Sequence, residues 1–250
     1  MRLVVYIVAL LFCVASYSQD TQALFEQANE QYRTEKYQDA IDSYHQIENL
    51  GWVSDALYFN LGNSYYKQNK VGPAIYYYEK ALQLNPLHTD AQTNLIFANR
   101  LALDNIEPLP KTIGQKFADS IIYPLSFDIW AVLAVIASFL TVILFLLYYF
   151  SYSSRAKLLF FNTSILSAVL LVLSVVFAFK AYDYNLTTKH AVVFEKVTDI
   201  KNAPTLNADN VFKLHEGAKV EVVDAIDDWK KIKLVDGKEG WVIAAYIKEL

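Results

Sequence analysis

Residues 55–86 read D-A-L-Y-F-N-L-G-N-S-Y-Y-K-Q-N-K-V-G-P-A-I-Y-Y-Y-E-K-A-L-Q-L-N-P. Laid over the segment that begins at Thr21, this stretch repeats with a period of 34 residues. Ala28 falls on Gly62, Ala40 on Ala74, Ile41 on Ile75, Tyr44 on Tyr78, Ile47 on Ala81 and Leu50 on Leu84. Self-similarity at this period marks stacked helical hairpins, in which each copy buries an apolar face that it cannot cover alone. The second copy is the stronger. The first has Gln31 and Trp52 where the pattern usually carries Tyr and Pro.

With Leu61, Gly62, Tyr65, Ala74, Tyr78, Ala81 and Pro86 in place, residues 19–103 resemble a tetratricopeptide (TPR) domain of two repeats. A third helix, about Thr89 to Leu103, follows in register and reads as a cap over the open face of the second repeat. The resemblance implies a concave groove lined by the first helix of each repeat. On this chain the groove carries Phe25, Asn29, Tyr32 and Arg33, then Phe59, Asn63, Tyr66 and Lys67, then Thr93, Phe97 and Arg100. Asn29 and Asn63 match the two asparagines of TPR clamps that hold a peptide carboxylate. Phe25 and Thr93 stand where such a clamp has Lys, and Phe97 where it has Arg, so the groove is read as a peptide or protein groove of another kind. Tyr76, Tyr77 and Tyr78 are read as repeat core. Residues 20–110 hold twelve acids against six bases. This excess favours either a basic partner surface or plain solubility.

Outward from the repeats, composition sets bounds. The 250 residues are 54% hydrophobic and 19% charged, where soluble domains run about 45–50% and about 25%. This excludes a disordered chain and argues against a wholly soluble one. A net charge of −4 makes nucleic acid a poor partner. One cysteine, Cys13, and four scattered histidines offer no disulfide framework, and no metal or other cofactor is expected. No nucleophile, base and orienting group can be assembled, so the chain is read as non-catalytic.

Two runs without a charge lie at Ile129–Phe150 and Leu158–Phe179. Each reaches about 33 Å as a helix, enough for a hydrocarbon core of about 30 Å. They are read as transmembrane helices over 128–150 and 158–180. Trp130, Tyr148, Tyr149 and Tyr152 suit the membrane interfaces. The loop 151–157 between them carries Arg155 and Lys157 and no acid, which fits a cytoplasmic loop. The polar residues within the runs, among them Thr141, Ser164, Ser167 and Ser174, are read as helix-packing contacts. At the start, Met-Arg, the apolar run Leu3–Val14 and small Ser16 and Ser18 have the form of a secretory signal over 1–18, cleaved before Gln19 or retained as an anchor. Between the TPR domain and the first span, residues 104–127 place Ile113, Phe117, Ile121 and Ile122 on roughly one helix face. That segment is either a short helix on the membrane surface or a plain connector.

After a linker at 181–189, residues 190–250 turn to short runs such as A-V-V-F, V-F-K-L, A-K-V-E-V-V, W-K-K-I-K-L and G-W-V-I, with turn residues between. This is the pattern of a small all-β barrel. Trp229 opening a strand, then Gly237, Gly240 and Trp241 about the next turn, resemble bacterial SH3 domains. That likeness implies Trp229 and Tyr246 as groove residues and peptidoglycan as a ligand. Trp229 reads equally as barrel core, Trp241 more readily so. Gly240 is read as permitting a tight bend.

The fold class is therefore a multidomain membrane protein: an α-helical TPR solenoid, two transmembrane helices and a C-terminal SH3-like barrel. The order resembles that of the TPR proteins encoded in Bacteroidetes aerotolerance (Bat) operons. That family implies von Willebrand A domain membrane proteins and other Bat proteins as partners, and a role in envelope stress tolerance. It also implies the inner membrane, with both soluble domains on the periplasmic side. The resulting reading is an exported-face scaffold; the alternative is a peptidoglycan-binding envelope sensor.

Overall fold

A computed structural model describes residues 21–104 and 106–250. The expected signal peptide, with Cys13, lies outside the described residues. Residues 21–108 and 190–250 form one compact unit, and Leu109–Lys189 a second.

In the first unit, five helices form in sequence: α1 over 21–33, α2 Tyr37–Asn49, α3 Asp55–Lys67, α4 Val71–Leu84 and α5 Thr89–Leu101. Ser54 caps α3 by accepting from the Leu57 amide, and the His88 ring caps α5 by accepting from Ala91. Glu35 and Asn69, 34 residues apart, adopt positive φ of 61° and 57° in the turns within each hairpin. Ala28, Ala40, Tyr44, Leu61, Ala74, Ile75, Tyr77, Tyr78 and Ala81 form one buried core. Gly62 is small because it must be: a Cβ there would sit 2.6 Å from the Tyr78 ring. As expected, Tyr76, Tyr77 and Tyr78 are all buried.

Seven strands follow: β1 Lys189–Val193, β2 Val197–Lys201, β3 Asn210–His215, β4 Lys219–Ile226, β5 Trp229–Lys233, β6 Glu239–Ile243 and β7 Ile247–Glu249. They form one sheet in the order β3-β2-β6-β5-β4-β1-β7. Its core holds Ala191, Val193, Ile200, Leu214, Val220, Ile232 and Val242. Trp241 is buried. Gly240 departs from the expectation of a bend. It lies within β6, where β2 crosses closely, and a Cβ would meet Ile200 Cγ2 at 2.4 Å and the Lys201 carbonyl at 3.0 Å. The bend belongs instead to Gly237, with φ of 87°.

The second unit begins with a short helix, α6 Ile113–Phe117, opened by a Thr112–Gln115 capping box. It runs into a π-helical turn, Ala118–Ile122, closed by the Tyr123 amide donating to the Ala118 carbonyl at 3.0 Å. Neighbouring residues of a helix lie about 100° apart, and Ile122 is buried while Ile121 stays exposed, so the four apolar residues do not share one face. Two long helices complete the unit, α7 Phe127–Phe150 and α8 Ser154–Thr187. Both are long and apolar enough to cross a membrane. Only 11% and 22% of their most apolar windows are buried, whereas the core helix of a soluble protein would be mostly covered. They pack through small residues: Ala134, Ala137, Ser164, Ser167 and Ser174 are buried. Thr141 donates to Ser167 Oγ at 2.9 Å, and Ser167 to the Ala137 carbonyl at 3.1 Å.

Two expected boundaries move. The loop at 151–157 shortens to 151–153, because Arg155 and Lys157 belong to the first turn of α8. The expected linker at 181–189 is helical through Thr187. Helix persists past the apolar run because Ala181 is buried, Tyr182 meets Phe127 edge-on at 5.5 Å, and Tyr184 stacks on Tyr123 at 4.0 Å.

Candidate functional site: the groove of the helical repeats

The two helical hairpins carry the same hydrogen-bond lattice. Asn29 Oδ1 accepts from the Tyr44 hydroxyl at 2.6 Å and from Asn60 Nδ2 at 2.9 Å. Asn63 Oδ1 accepts from the Tyr78 hydroxyl at 2.8 Å and from Asn94 Nδ2 at 2.8 Å. The offsets of 15 and 31 residues recur because the copies are 34 residues apart. Each side-chain oxygen is locked by two donors, and among the described residues its own Nδ2 makes no side-chain hydrogen bond. Burial raises the pKa of Tyr44 and Tyr78, so both stay protonated as donors.

Tyr32, Asn63, Tyr66, Lys67, Asn94 and Phe97 line one cavity of about 200 Å³. Five of these six were expected groove residues. Asn94 was not, although its spacing of 34 from Asn60 is a readable signal. Burial, with Tyr37 nearby, raises the pKa of Tyr32, so its phenol is a neutral donor. Lys67 is exposed and forms no ion pair among the described residues. Arg100, one turn beyond Phe97, lies over that ring at 5.5 Å. Within an acidic domain, the cavity itself is therefore bordered by cations.

The remaining expected residues sit elsewhere. Phe25 and Phe59 lean on Tyr44 and Tyr78, at 5.9 and 6.1 Å, and are half-buried repeat packing. Phe25 also lines a separate apolar cavity of about 210 Å³ with Ile47, Trp52 and Leu57. Arg33 pairs with Glu30 at 2.5 Å in solvent. Thr93 donates to its own helix at the Thr89 carbonyl.

In the barrel, Trp229 is half-buried where β4 turns into β5, paired across strands with Ile226 and Ile243. Tyr246 lies in a 3₁₀ turn and packs against the barrel core. The barrel also docks on α4. Glu216 Oε1 accepts from the Gly72 amide at 2.9 Å in the first turn of α4. Lys219 pairs with Glu79 at 2.8 Å, and Phe194 meets Tyr76 edge-on at 5.5 Å. Val192 joins the core of the helical repeats. The β domain therefore covers α4 and takes no part in lining the groove cavity.

Residues 56–87 match the tetratricopeptide repeat, and residues 196–248 match the bacterial SH3 domain. A search of curated proteins finds no match to the chain. Repeats of the first kind are protein-interaction modules, bacterial SH3 domains often bind peptidoglycan, and both are typically non-catalytic. Together the two matches support a protein-binding protein of the cell envelope.

Proposed function

We propose that the chain is a membrane-anchored scaffold whose helical groove holds a segment of a partner protein. The carrying observation is the cavity of Tyr32, Asn63, Tyr66, Lys67, Asn94 and Phe97, held open by the asparagine lattice. Its chemistry suits a segment with an apolar side chain for Phe97 and Tyr66 and an acidic group for Lys67 and Arg100. The acidity of the whole domain left a basic partner surface or plain solubility open; the cations beside the cavity support an acidic segment.

In this reading α7 and α8 cross the membrane as a hairpin. Two spans return the chain to its starting side, so the helical repeats and the barrel share one face. A cleaved or retained signal would make that face the exported one, the periplasmic side of an inner membrane. The domain order supports a place beside the von Willebrand A domain and other membrane proteins of Bat operons, in a complex tied to aerotolerance. The test is recovery of tagged full-length protein from its native membranes in several mild detergents. The scaffold reading expects a recurring set of membrane proteins; recovery of the chain alone in every detergent contradicts it.

A second reading rests on Trp229, half-exposed opposite the exposed Ile226 at the β4–β5 hairpin. It makes the barrel a peptidoglycan contact. Co-sedimentation of the detergent-solubilised full chain with purified sacculi, lost on Trp229→Ala, supports it; no retention removes it.

A further inference from the structure

We infer that α6 and the π turn after it form a lipid-binding shelf, seated in the headgroup region of the bilayer that surrounds α7 and α8. The inference rests on the reading of those helices as membrane spans. Leu109, Ile113, Phe117 and Ile121 are exposed apolar side chains on this segment, Ile113 at 89%. Ile113, Phe117 and Ile121 recur every four residues, on a stripe beside the one that Ala118 and Ile122 bury against Trp130 and Ala181. The polar residues Gln115, Lys116 and Ser120 fall between them.

The segment is fastened to the hairpin, not merely joined to it. Trp130 Nε1 donates to the Ile122 carbonyl at 3.0 Å. Tyr123 stacks on Tyr184, and Phe117 meets Phe177 at 6.1 Å. The exposed apolar stripe is therefore continuous with the apolar surface of α7 and α8, at the end where α7 begins. A bilayer that covers Ile129 and Phe177 reaches Phe117 as well. Tyr123, Phe127, Trp130, Tyr182 and Tyr184 gather at this same end, as aromatic residues do at headgroup depth.

Charge selects the kind of lipid contact. Residues 109–128 carry Lys111, Lys116, Asp119 and Asp128, which balance, and Lys111 is paired with Asp119 at 2.6 Å. The shelf is held by apolar insertion and not by attraction to anionic headgroups.

The test places nitroxide labels at single cysteines in the full chain carrying Cys13→Ser, reconstituted into vesicles of phosphatidylcholine with and without phosphatidylglycerol. The labelled variants are Ile113→Cys, Phe117→Cys, Lys116→Cys, Ser120→Cys and, in the middle of α8, Val169→Cys. Collision with oxygen, which concentrates in lipid, is compared with collision with an aqueous nickel chelate. The shelf predicts an oxygen-to-nickel ratio severalfold higher at 113 and 117 than at 116 and 120, alike in both lipid mixtures. Ratios at 113 and 117 equal to those at 116 and 120, with 169 still rich in oxygen, overturn the shelf and leave the spans standing. Shielding of 113 and 117 from both reagents shows a protein occupant and also overturns it, as does insertion that needs phosphatidylglycerol. Nickel access at 169 overturns the spans and the shelf together.

Discussion

Asp104 holds His215 twice. Its carboxylate accepts from the His215 main-chain amide at 2.6 Å and faces His215 Nδ1 at 2.8 Å. The chain leaving α5 is thus tied to the end of β3, 111 residues further on. With Glu216 on Gly72 and Lys219 on Glu79, this makes the helical repeats and the barrel one body. Asp104→Ala removes both acceptors and is expected to cost about 1–3 kcal/mol, with Asp104→Asn costing less because one acceptor remains. In calorimetry of the solubilised full chain, Asp104→Ala combined with Glu216→Ala should split one transition of this unit into two. A single unshifted transition in the double variant would show that the two modules melt independently of these bonds.

Gly62→Ala tests the packing between the hairpin helices. The added methyl would lie 2.6 Å from the Tyr78 ring, and that ring is also a donor to Asn63. Overpacking of this kind costs about 1–3 kcal/mol. Gly114→Ala adds a methyl to open space in α6 and should leave the melting temperature of the first unit unchanged. Equal effects of the two substitutions would contradict the assignment of Gly62 to a close contact.

Glu48 gives the helical repeats a pH signature. Its carboxylate meets His45 Nδ1 at 3.0 Å, Lys80 Nζ at 3.0 Å and the Tyr77 hydroxyl at 3.2 Å. The hydrogen bond to His45 first, then Lys80, outweighs burial and holds its pKa at about 2, below the ordinary 4.5. A carboxyl depressed by folding adds stability that is complete above its unfolded value and is lost as pH falls toward its folded one. Glu48→Gln should therefore destabilise the protein at pH 7, and the gap to the unsubstituted chain should close between about pH 5 and pH 2. Melting temperatures across that range check it; a constant gap would mean that the charge of Glu48 does not matter.

The asparagine lattice separates a packing role from a groove role. Asn60→Ala and Asn94→Ala each remove one donor to the preceding repeat's asparagine, so both should lower stability by about 0.5–1.5 kcal/mol. Only Asn94 borders the cavity with Lys67 and Phe97. Partner recovery should fall with Asn94→Ala and hold with Asn60→Ala, measured at a temperature where both variants are folded.

Much of this was legible in the residues. The 34-residue period aligns Ala28 with Gly62 and Tyr44 with Tyr78, all of them buried, and the uncharged runs fall within α7 and α8. Tyr32, Asn63, Tyr66, Lys67 and Phe97 come together because the period sets which helix face each occupies. Other features leave no local trace. Asp104 and His215 meet only through docking of distant segments, so no spacing announces them. Strand β2 went unread because Thr198, a polar residue, takes a buried place beside Ile200 and blurs the alternation. The end of α8 went unread because hydropathy stops near Phe179, while helix is sustained by Ala181 and Tyr184 against the π turn. The sign of the groove was masked for a similar reason: a net charge sums over a domain, and Lys67 and Arg100 act where they stand.

The most direct measurement is quantitative crosslinking of native membranes carrying the tagged full chain, beside a variant with Lys67→Glu, Phe97→Ala and Arg100→Glu. These three side chains are exposed and lie outside the asparagine lattice, so the fold is retained. The account predicts a small set of membrane proteins crosslinked to the unsubstituted chain and lost from the variant. The same partners recovered equally from both would contradict it, and would move recognition from the helical groove to the spans or the barrel.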